Sequence, residues 1–456
     1  MTIKILHHAF KWNAAHGKLS MCHANVAPGI VKFKLDTTSV SMTEHLSILI
    51  GTGLAAAAAG YVCFAVYAVL NGVRRASDTA LQCLRDAACA TSPRPVSVLK
   101  PLCGNEPGLY DNLRSFCVQS HPSFQLLFGV REPEDAAMAV VRRLQAEFPH
   151  VDIELVIDPQ VHGANLKVSN LRNMLLHARH DWLVLADSDI GVSSDYLSRV
   201  TAPLADPGVG VVTCLYRGVP RIGLWSRLGA LFIDDWFAPS VQVSHALGST
   251  RFSFGSTIAL RRDSLLAAGG FEALNDVLAD DFWLGEFTRL QGLRTVLSNV
   301  VVTTDVTDSS LAALWAHELR WMRTIRAAEP AGFALTFVTF TFPVLALGLA
   351  LAPTKLCLAL AVVGATAKLV LHYLQRQWKP EPTPAYEVLL IPLRDSLLFA
   401  EWAASHTGSR VLWRNQILDA TVERPRPLPI STPASAPQNP APSSSPNSFS
   451  NPDSVL

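Results

Sequence analysis

Charge is scarce in this chain and almost perfectly balanced. Charged residues make up 16% of its 456 residues, with 38 Lys and Arg against 37 Asp and Glu and a net charge of +1. Soluble domains usually carry about 25% charged residues, so part of this chain avoids water, and no global electrostatic attraction to nucleic acid exists. Paired-cysteine signals are also missing. The eight cysteines (Cys22, Cys63, Cys83, Cys89, Cys103, Cys117, Cys214, Cys357) contain no C-x-x-C, so neither a zinc site nor a disulfide framework is indicated. Free thiols in a reducing cytosol are the expectation. No apolar core follows the early lysines of Met1 to Ser41, so a secretory leader is not indicated there. Residues 1–41 read as an extension, disordered or preceding a true start at Met42. No internal repeat is visible.

Hydrophobic residues reach 49% and are concentrated in blocks. Leu46 to Leu70 has no charge and is long enough to cross a bilayer core of about 30 Å. Arg74 and Arg75 follow, with Arg85, Arg94 and Lys100 further on, which puts the succeeding body in the cytoplasm by the positive-inside rule. Ala331–Ala352 and Leu356–Leu374, separated by Pro353-Thr354-Lys355, read as a hairpin crossing twice, with a basic flank at Arg376 and Lys379. Tyr386–Ala404 is apolar but interrupted by Glu387, Arg394, Asp395 and Glu401. Charges at mid-bilayer are costly, so this segment is re-entrant, interfacial, or spanning with its charges turned to protein. Ser310–Arg326 reads as an amphipathic helix, lying on the membrane or packed on the body. Beyond Glu423 the Pro/Ser-rich tail is expected to be disordered. The expected units are 1–41 extension, 42–75 membrane helix, 90–305 catalytic body, 306–330 interfacial helix, 331–422 membrane region and 423–456 tail.

Between the membrane blocks, short β-rich runs alternate with helical stretches: strands at Val96–Leu99, Gln125–Val130, Ile153–Ile157, Leu183–Ala186 and Gly210–Thr213, with a helix at Glu134–Phe148 among them. That order predicts an α/β fold, a mainly parallel sheet with helices on both faces. Leu183–Ala186 ends abruptly in Asp187-Ser188-Asp189. Open α/β sheets bind ligands beyond the carboxyl ends of their strands, and two carboxylates there suit a hard divalent cation whose shell is completed by phosphates. The plain alternative is a turn cap at Asp187 and a solvated Asp189. Glu132 and Asp135 follow another strand, Asp280 and Asp281 open a helix, and His317-Glu318-Leu319-Arg320-Trp321 precedes the later membrane blocks.

Together these groups suit transfer from a nucleotide-activated donor. Asp135 would hold the nucleotide, and Asp187 with Asp189 a cation bridging its diphosphate. Arg320 would pair with the phosphates, and Asp281 would take a proton from an attacking hydroxyl. Each carboxylate also has an ordinary reading: Glu132 and Asp135 as acids at a helix start, Asp280 as an N-cap. A glycosidase pair flanking a scissile bond fits less well, because Arg320 downstream matches a diphosphate leaving group.

The ordered set Val96–Gly104, Gly163–Leu171, Ala186–Asp189, Phe254–Thr257, Ala279–Trp283 and Leu319–Trp321 resembles the ceramide glucosyltransferase family of processive-type GT-A glycosyltransferases. Within it the chain is similar to the bacterial hopanoid-biosynthesis-associated enzymes. The resemblance covers Leu46 to Ile417. It implies a GT-A fold and inverting transfer from a UDP-sugar to a lipid hydroxyl, by a multi-pass protein of the bacterial inner membrane with a cytoplasmic catalytic domain. Asp135, Asp187 and Asp281 take the places of the family's three aspartates, Asp281 as the base. Lys167 and Asn170 fall where the family approaches the nucleotide, Asn170 with a structural role as its alternative. His317 departs from the family's Gln or Arg, leaving Arg320 and Trp321 as the intact part of that motif. Asp234 and Asp235 are expected either at the acceptor or in solvent. The leading expectation is N-acetylglucosamine from UDP-N-acetylglucosamine to bacteriohopanetetrol with Mg²⁺ or Mn²⁺. The alternative is UDP-glucose to ceramide, and a polysaccharide synthase or a non-catalytic membrane scaffold stand further off.

Overall fold

A computed structural model describes residues 10–13, 18–21, 42–86, 93–377, 384–413 and 416–420, with side chains of residues 10–13, 18–21, 73–86, 413 and 416 excepted. Most of the expected extension, the Pro/Ser tail, the flank at Trp378 and Lys379, and the side chains of Arg74, Arg75 and Arg85 lie outside the described residues. Strands β1 (Phe10–Asn13) and β2 (Lys18–Met21) form a small antiparallel hairpin.

The body is built on strands β3 (Val96–Pro101), β4 (Phe124–Val130), β5 (Asp152–Ile157), β6 (Trp182–Leu185), β7 (Ile190–Gly191), β8 (Val209–Pro220), β9 (Ile258–Arg261) and β10 (Arg294–Val306). They form one eight-stranded sheet in the order β5-β4-β3-β6-β9-β8-β10-β7. The pairs β5–β4, β4–β3, β3–β6 and β8–β10 are parallel, whereas β9 runs antiparallel to β6 and β8, and β7 to β10. Side chains alternate across a strand, and here both faces are apolar. Val98, Leu126, Phe128 and Val184 pack under the helices Leu109–Cys117 and Ala137–Glu147. Leu99, Leu127, Leu183 and Leu185 pack under Leu166–Leu175 and Asp280–Leu290 on the other face. Strands covered on both faces read as unbroken apolar runs, which is why the α/β expectation holds. The antiparallel β9 is the departure from a simple parallel order.

Among the described residues two helices, Met42–Gly72 and Lys355–Arg376, are long and apolar enough to cross a membrane. The expected crossing at Ala331–Ala352 is a bent pair, Pro330–Thr339 and Thr341–Leu351, with a 72° break. Gly51 and Gly348 touch backbone to backbone beside Ala352, where an added Cβ on Gly51 would lie 2.7 Å from the Gly348 carbonyl. Val62, Ala65 and Val69 pack on Leu371 further along. Thr341–Leu351 therefore carries the chain to the Gly51 end, and Lys355–Arg376 returns beside the first helix in the same direction. That arrangement makes the bent pair a broken crossing.

The amphipathic segment forms a helix, Leu311–Ala328, whose N-cap Ser310 accepts from the Ala313 amide. It packs on the body and on the helix Glu387–Ser405, burying Leu314, Glu318 and Met322. The interrupting charges of Glu387–Ser405 all face protein. Glu387 pairs with Arg227 at 2.5 Å, Arg394 with Glu318 and Glu401 at 2.8 Å each, and Asp395 with Lys368 at 3.0 Å. Solvent exposure of Asp234 and Asp235 is overturned, since each is 4% exposed. They sit in a single π-helical turn, Ile233–Phe237, wedged between β8 and the membrane helices.

Candidate active site

The site opens where β6 ends. Asp187 and Asp189 leave the sheet on a turn held from below by Lys100, whose ammonium donates to the Asp187 carbonyl at 2.7 Å and lies 3.9 Å from the centroid of the Phe116 ring. Burial pushes the Lys100 pKa down to about 7, with Asp189 and Asp187 opposing. Lys100 is therefore a buried prop for the Asp187–Asp189 turn and not part of an exposed basic flank. A lysine closing an apolar strand was its signal in the sequence, because a buried charge needs partners.

Lys167, in the first turn of its helix, bridges two carboxylates, 2.7 Å from Asp187 Oδ1 and 3.4 Å from Asp280 Oδ2. Burial alone would lower its pKa, but Asp187, Asp280 and Asp281 outweigh that and hold it raised. Asp189 accepts from the Thr304 hydroxyl at 2.5 Å. Its pKa is raised to about 6 by burial and by Asp187 beside it.

Gly255 ties this pair to the expected base. Its carbonyl accepts from the Asp187 amide at 3.2 Å, and its own amide donates to Asp281 Oδ2 at 2.8 Å. A Cβ on Gly255 would stand 2.7 Å from Asp187 Oδ2 and 3.0 Å from Lys167 Nζ, so only glycine permits this approach. Asp281 Oδ1 accepts from the Phe282 amide at 2.8 Å. Burial, then Asp280, raises the Asp281 pKa to about 6, near the operating range of a general base. Lys167, Asp187, Gly255 and Asp280 border one shallow recess.

Other candidates stand further out. Asp135 accepts from the Gly104 amide at 2.9 Å and the Ala137 amide at 2.8 Å. It thereby ties the loop after β3, where Gly104 has φ +74°, to the start of a helix. Asn170 is buried and donates to the Gly129 carbonyl at 2.8 Å, a tie between its helix and β4. Trp321 packs in the core joining body and membrane, its ring 5.2 Å from Phe232 and 4.4 Å from His317, and His317 Nδ1 lies 3.3 Å from Asp308. Arg320 comes within electrostatic reach of Tyr216 on β8, as do Asp281, Asp189 and Asp187. Burial, reinforced by those carboxylates, raises the Tyr216 pKa, and its ring lies tilted 4.8 Å from that of Phe237. Tyr216 went unread in the sequence because a strand tyrosine gives no sign of what lies across the sheet.

Among the described residues no cluster of three or more His, Cys, Asp and Glu could hold a metal unaided. The donor set is two adjacent carboxylates with hard oxygens, which fits a cation that arrives with phosphate oxygens to complete its shell.

An α/β sheet ending in paired carboxylates, joined to helices long and apolar enough to cross a membrane, has the make-up of a sugar-transferring enzyme. The chain belongs to glycosyl transferase family 21, whose profile matches residues 55–424. It is 26% identical over 236 residues to ceramide glucosyltransferase 1 of Caenorhabditis elegans, covering 52% of this chain and 50% of the relative. It is 31% identical over 116 residues to a ceramide glucosyltransferase of Candida albicans, covering 23% and 21%. The chain thus spans about half the length of the first of these relatives. Among solved structures it is similar to the mannosyltransferase PcManGT from Pyrobaculum calidifontis in complex with GDP-Man and Mn²⁺, at TM-score 0.44 and 20% identity over 74% of this chain and 100% of that one.

Proposed function

We propose that this protein moves glucose from UDP-glucose to a hydroxyl of ceramide, with inversion, at the cytoplasmic face of a bacterial inner membrane. The observation that carries the reaction is the placement of Asp281 and Asp187 on the two sides of one residue, Gly255. A base and a diphosphate-handling group are thereby held side by side. Asp281 takes the proton of the acceptor hydroxyl, the hydroxyl oxygen bonds to the anomeric carbon, and the bond from that carbon to UDP breaks with its electron pair leaving on the diphosphate. Lys167 and Arg320 offset the charge that develops there, and Trp321 anchors the Arg320 helix in the core beside Phe232. Asp187 and Asp189 would hold Mg²⁺ or Mn²⁺, which when bound supplies Lewis-acid charge to the leaving diphosphate. Asp135 positions the nucleotide through the Gly104 loop, and Asn170 acts through the backbone of β4.

The relatives named above are ceramide glucosyltransferases and support ceramide over the bacteriohopanetetrol that the sequence reading placed first. The test is transfer by the full chain in liposomes, with radiolabelled UDP-glucose or UDP-N-acetylglucosamine offered against ceramide or bacteriohopanetetrol. Glucose on ceramide, stopped by EDTA, is expected. N-acetylglucosamine on the hopanoid would keep the mechanism and replace both substrates. Transfer to neither lipid would overturn the function.

A further inference from the structure

Three ionisable side chains lie sealed between the helix Leu311–Ala328 and the helix Glu387–Ser405. Arg394, Glu318 and Glu401 are 1%, 1% and 0% exposed. Arg394 Nη2 lies 2.8 Å from one oxygen of each glutamate, and its Nη1 donates to the other oxygen of Glu318 at 3.2 Å. The two carboxyl groups also hydrogen-bond to each other. An ionised carboxylate can only accept, so that bond requires one of the pair to keep a proton. With that proton in place, one guanidinium meets one negative charge and the trio is neutral.

Stability alone does not call for such a trio. Buried charges cost desolvation, and apolar residues of similar volume often serve as well; the best-attested use of buried ionic groups is to fix register. Here the register is that of the helix carrying Arg320. Glu318 shares a helix face with Trp321 and Met322, at i+3 and i+4, and both of those pack in the core around Phe232. The Arg394 guanidinium lies 5.7 Å from the centroid of the Phe232 ring, which in turn lies 5.2 Å from Trp321. Arg320 stands two residues beyond Glu318, about 200° around the helix, within electrostatic reach of Tyr216 together with Asp187, Asp189 and Asp281. The hold continues along the helix. Arg323 and Arg326 donate at 2.6 Å to the carbonyls of Arg410 and Gly408, in the segment that follows Glu387–Ser405.

We propose that Arg394, Glu318 and Glu401 are positioning residues that fix the rotation of Leu311–Ala328 about its axis, and with it the aim of Arg320 at the donor diphosphate. Their bonds are directional where apolar packing is not, and a long side chain such as Arg320 turns a small roll of its helix into a larger shift of the guanidinium. This inference rests on the reading of Arg320 as a partner of the diphosphate. Its readout is UDP affinity, which needs no lipid acceptor, so its failure and the failure of the proposed function are separate outcomes.

UDP is titrated into the full chain in detergent, with the thermal midpoint as the check of folding. Arg320→Ala in the wild-type background is expected to weaken UDP binding about tenfold. The triple variant Glu318→Leu, Arg394→Met, Glu401→Leu puts apolar groups in place of the trio and is expected to keep the wild-type midpoint. Its UDP affinity is expected to fall about tenfold, and adding Arg320→Ala to it to cost less than about twofold more, because residues acting through one another are not additive. Glu401→Gln, which still offers Glu318 a donor, is expected to keep both wild-type affinity and full dependence on Arg320. A folded triple variant that binds UDP like wild type, or that still loses the full factor with Arg320→Ala, overturns the inference. Should the triple variant unfold, Arg394→Lys keeps the charge without the planar fork and carries the same two expectations; loss of folding in both would make the trio structural only and overturn it as well. Unchanged UDP affinity in Arg320→Ala alone overturns it too. Wild type that glycosylates neither ceramide nor bacteriohopanetetrol defeats the proposed function, and the UDP titrations still decide the role of the trio.

Discussion

Lys167 Nζ lies 2.7 Å from Asp187 Oδ1, so the first aspartate of the D-x-D turn already has a cation before any phosphate arrives. The same ammonium reaches Asp280 at 3.4 Å, and it holds together carboxylates that would otherwise repel. Lys167→Met is expected to weaken UDP binding by roughly tenfold to a hundredfold, the effect of losing one charge-assisted contact of about 1.5–3 kcal/mol. Isothermal titration with UDP checks it. Undiminished affinity would remove Lys167 from the donor site.

Asp281→Asn keeps the size of the side chain and removes its basicity. A positioned base contributes about 10²–10⁴-fold, so kcat is expected to fall by about that factor while UDP affinity holds. The wild-type pH profile adds a signature. Burial and Asp280 raise the Asp281 pKa to about 6, and the working form is the ionised one. Rate is therefore expected to climb as pH rises through about 6 and to be lost below it, with that limb reduced in the residual activity of Asp281→Asn to what Asp189, also raised to about 6, contributes. A flat profile between pH 5 and pH 8 would count against Asp281 as the base.

Gly255→Ala separates stability from chemistry. The new Cβ would meet Asp187 Oδ2 at 2.7 Å and Lys167 Nζ at 3.0 Å, both ends of side chains that can move. The fold is expected to lose no more than about 1 kcal/mol, because no backbone must shift. Transfer is expected to fall by about 10²-fold, as misplacing reacting groups by about 1 Å costs on that order. Thermal unfolding together with turnover measures both. A large drop in Tm with turnover intact would reverse the assignment.

These residues show how far a sequence carries such an argument. Strands β3, β4 and β6 were legible because burial on both faces writes an unbroken apolar run, and the Asp187–Asp189 turn was legible because it cuts one short. Direction was not legible: Ile258–Arg261 has no feature that makes it antiparallel to β6, since alternation carries no polarity. Lys100 looked like part of a basic flank because a lysine's hydrogen bonds to the carbonyls of Asp187 and Ile190 depend on a turn far along the chain. Lys368 passed inside an apolar block because its partners, Asp235 and Asp395, come from two other segments. Local pattern shows which residues are buried, and only tertiary structure shows which polar ones meet.

The Lys368–Asp395 pair gives the last prediction. Both side chains are 2% exposed, and they join a membrane helix to the neighbouring helix Glu387–Ser405 at 3.0 Å. Removing one partner strands a charge where water cannot reach it, which costs about 3–5 kcal/mol, whereas replacing both by apolar residues of similar volume is often neutral. Asp395→Leu alone is therefore expected to lower the thermal midpoint of the full chain in detergent sharply, as is Lys368→Met alone. The double variant Lys368→Met with Asp395→Leu is expected to recover most of the loss, leaving unmade the Lys368 bond to the Asp235 carbonyl and the Phe342 amide bond to Asp395. Additive losses in the double variant would mean that each residue holds the helices through other contacts, and the pair itself would no longer explain why two charges sit inside this membrane region.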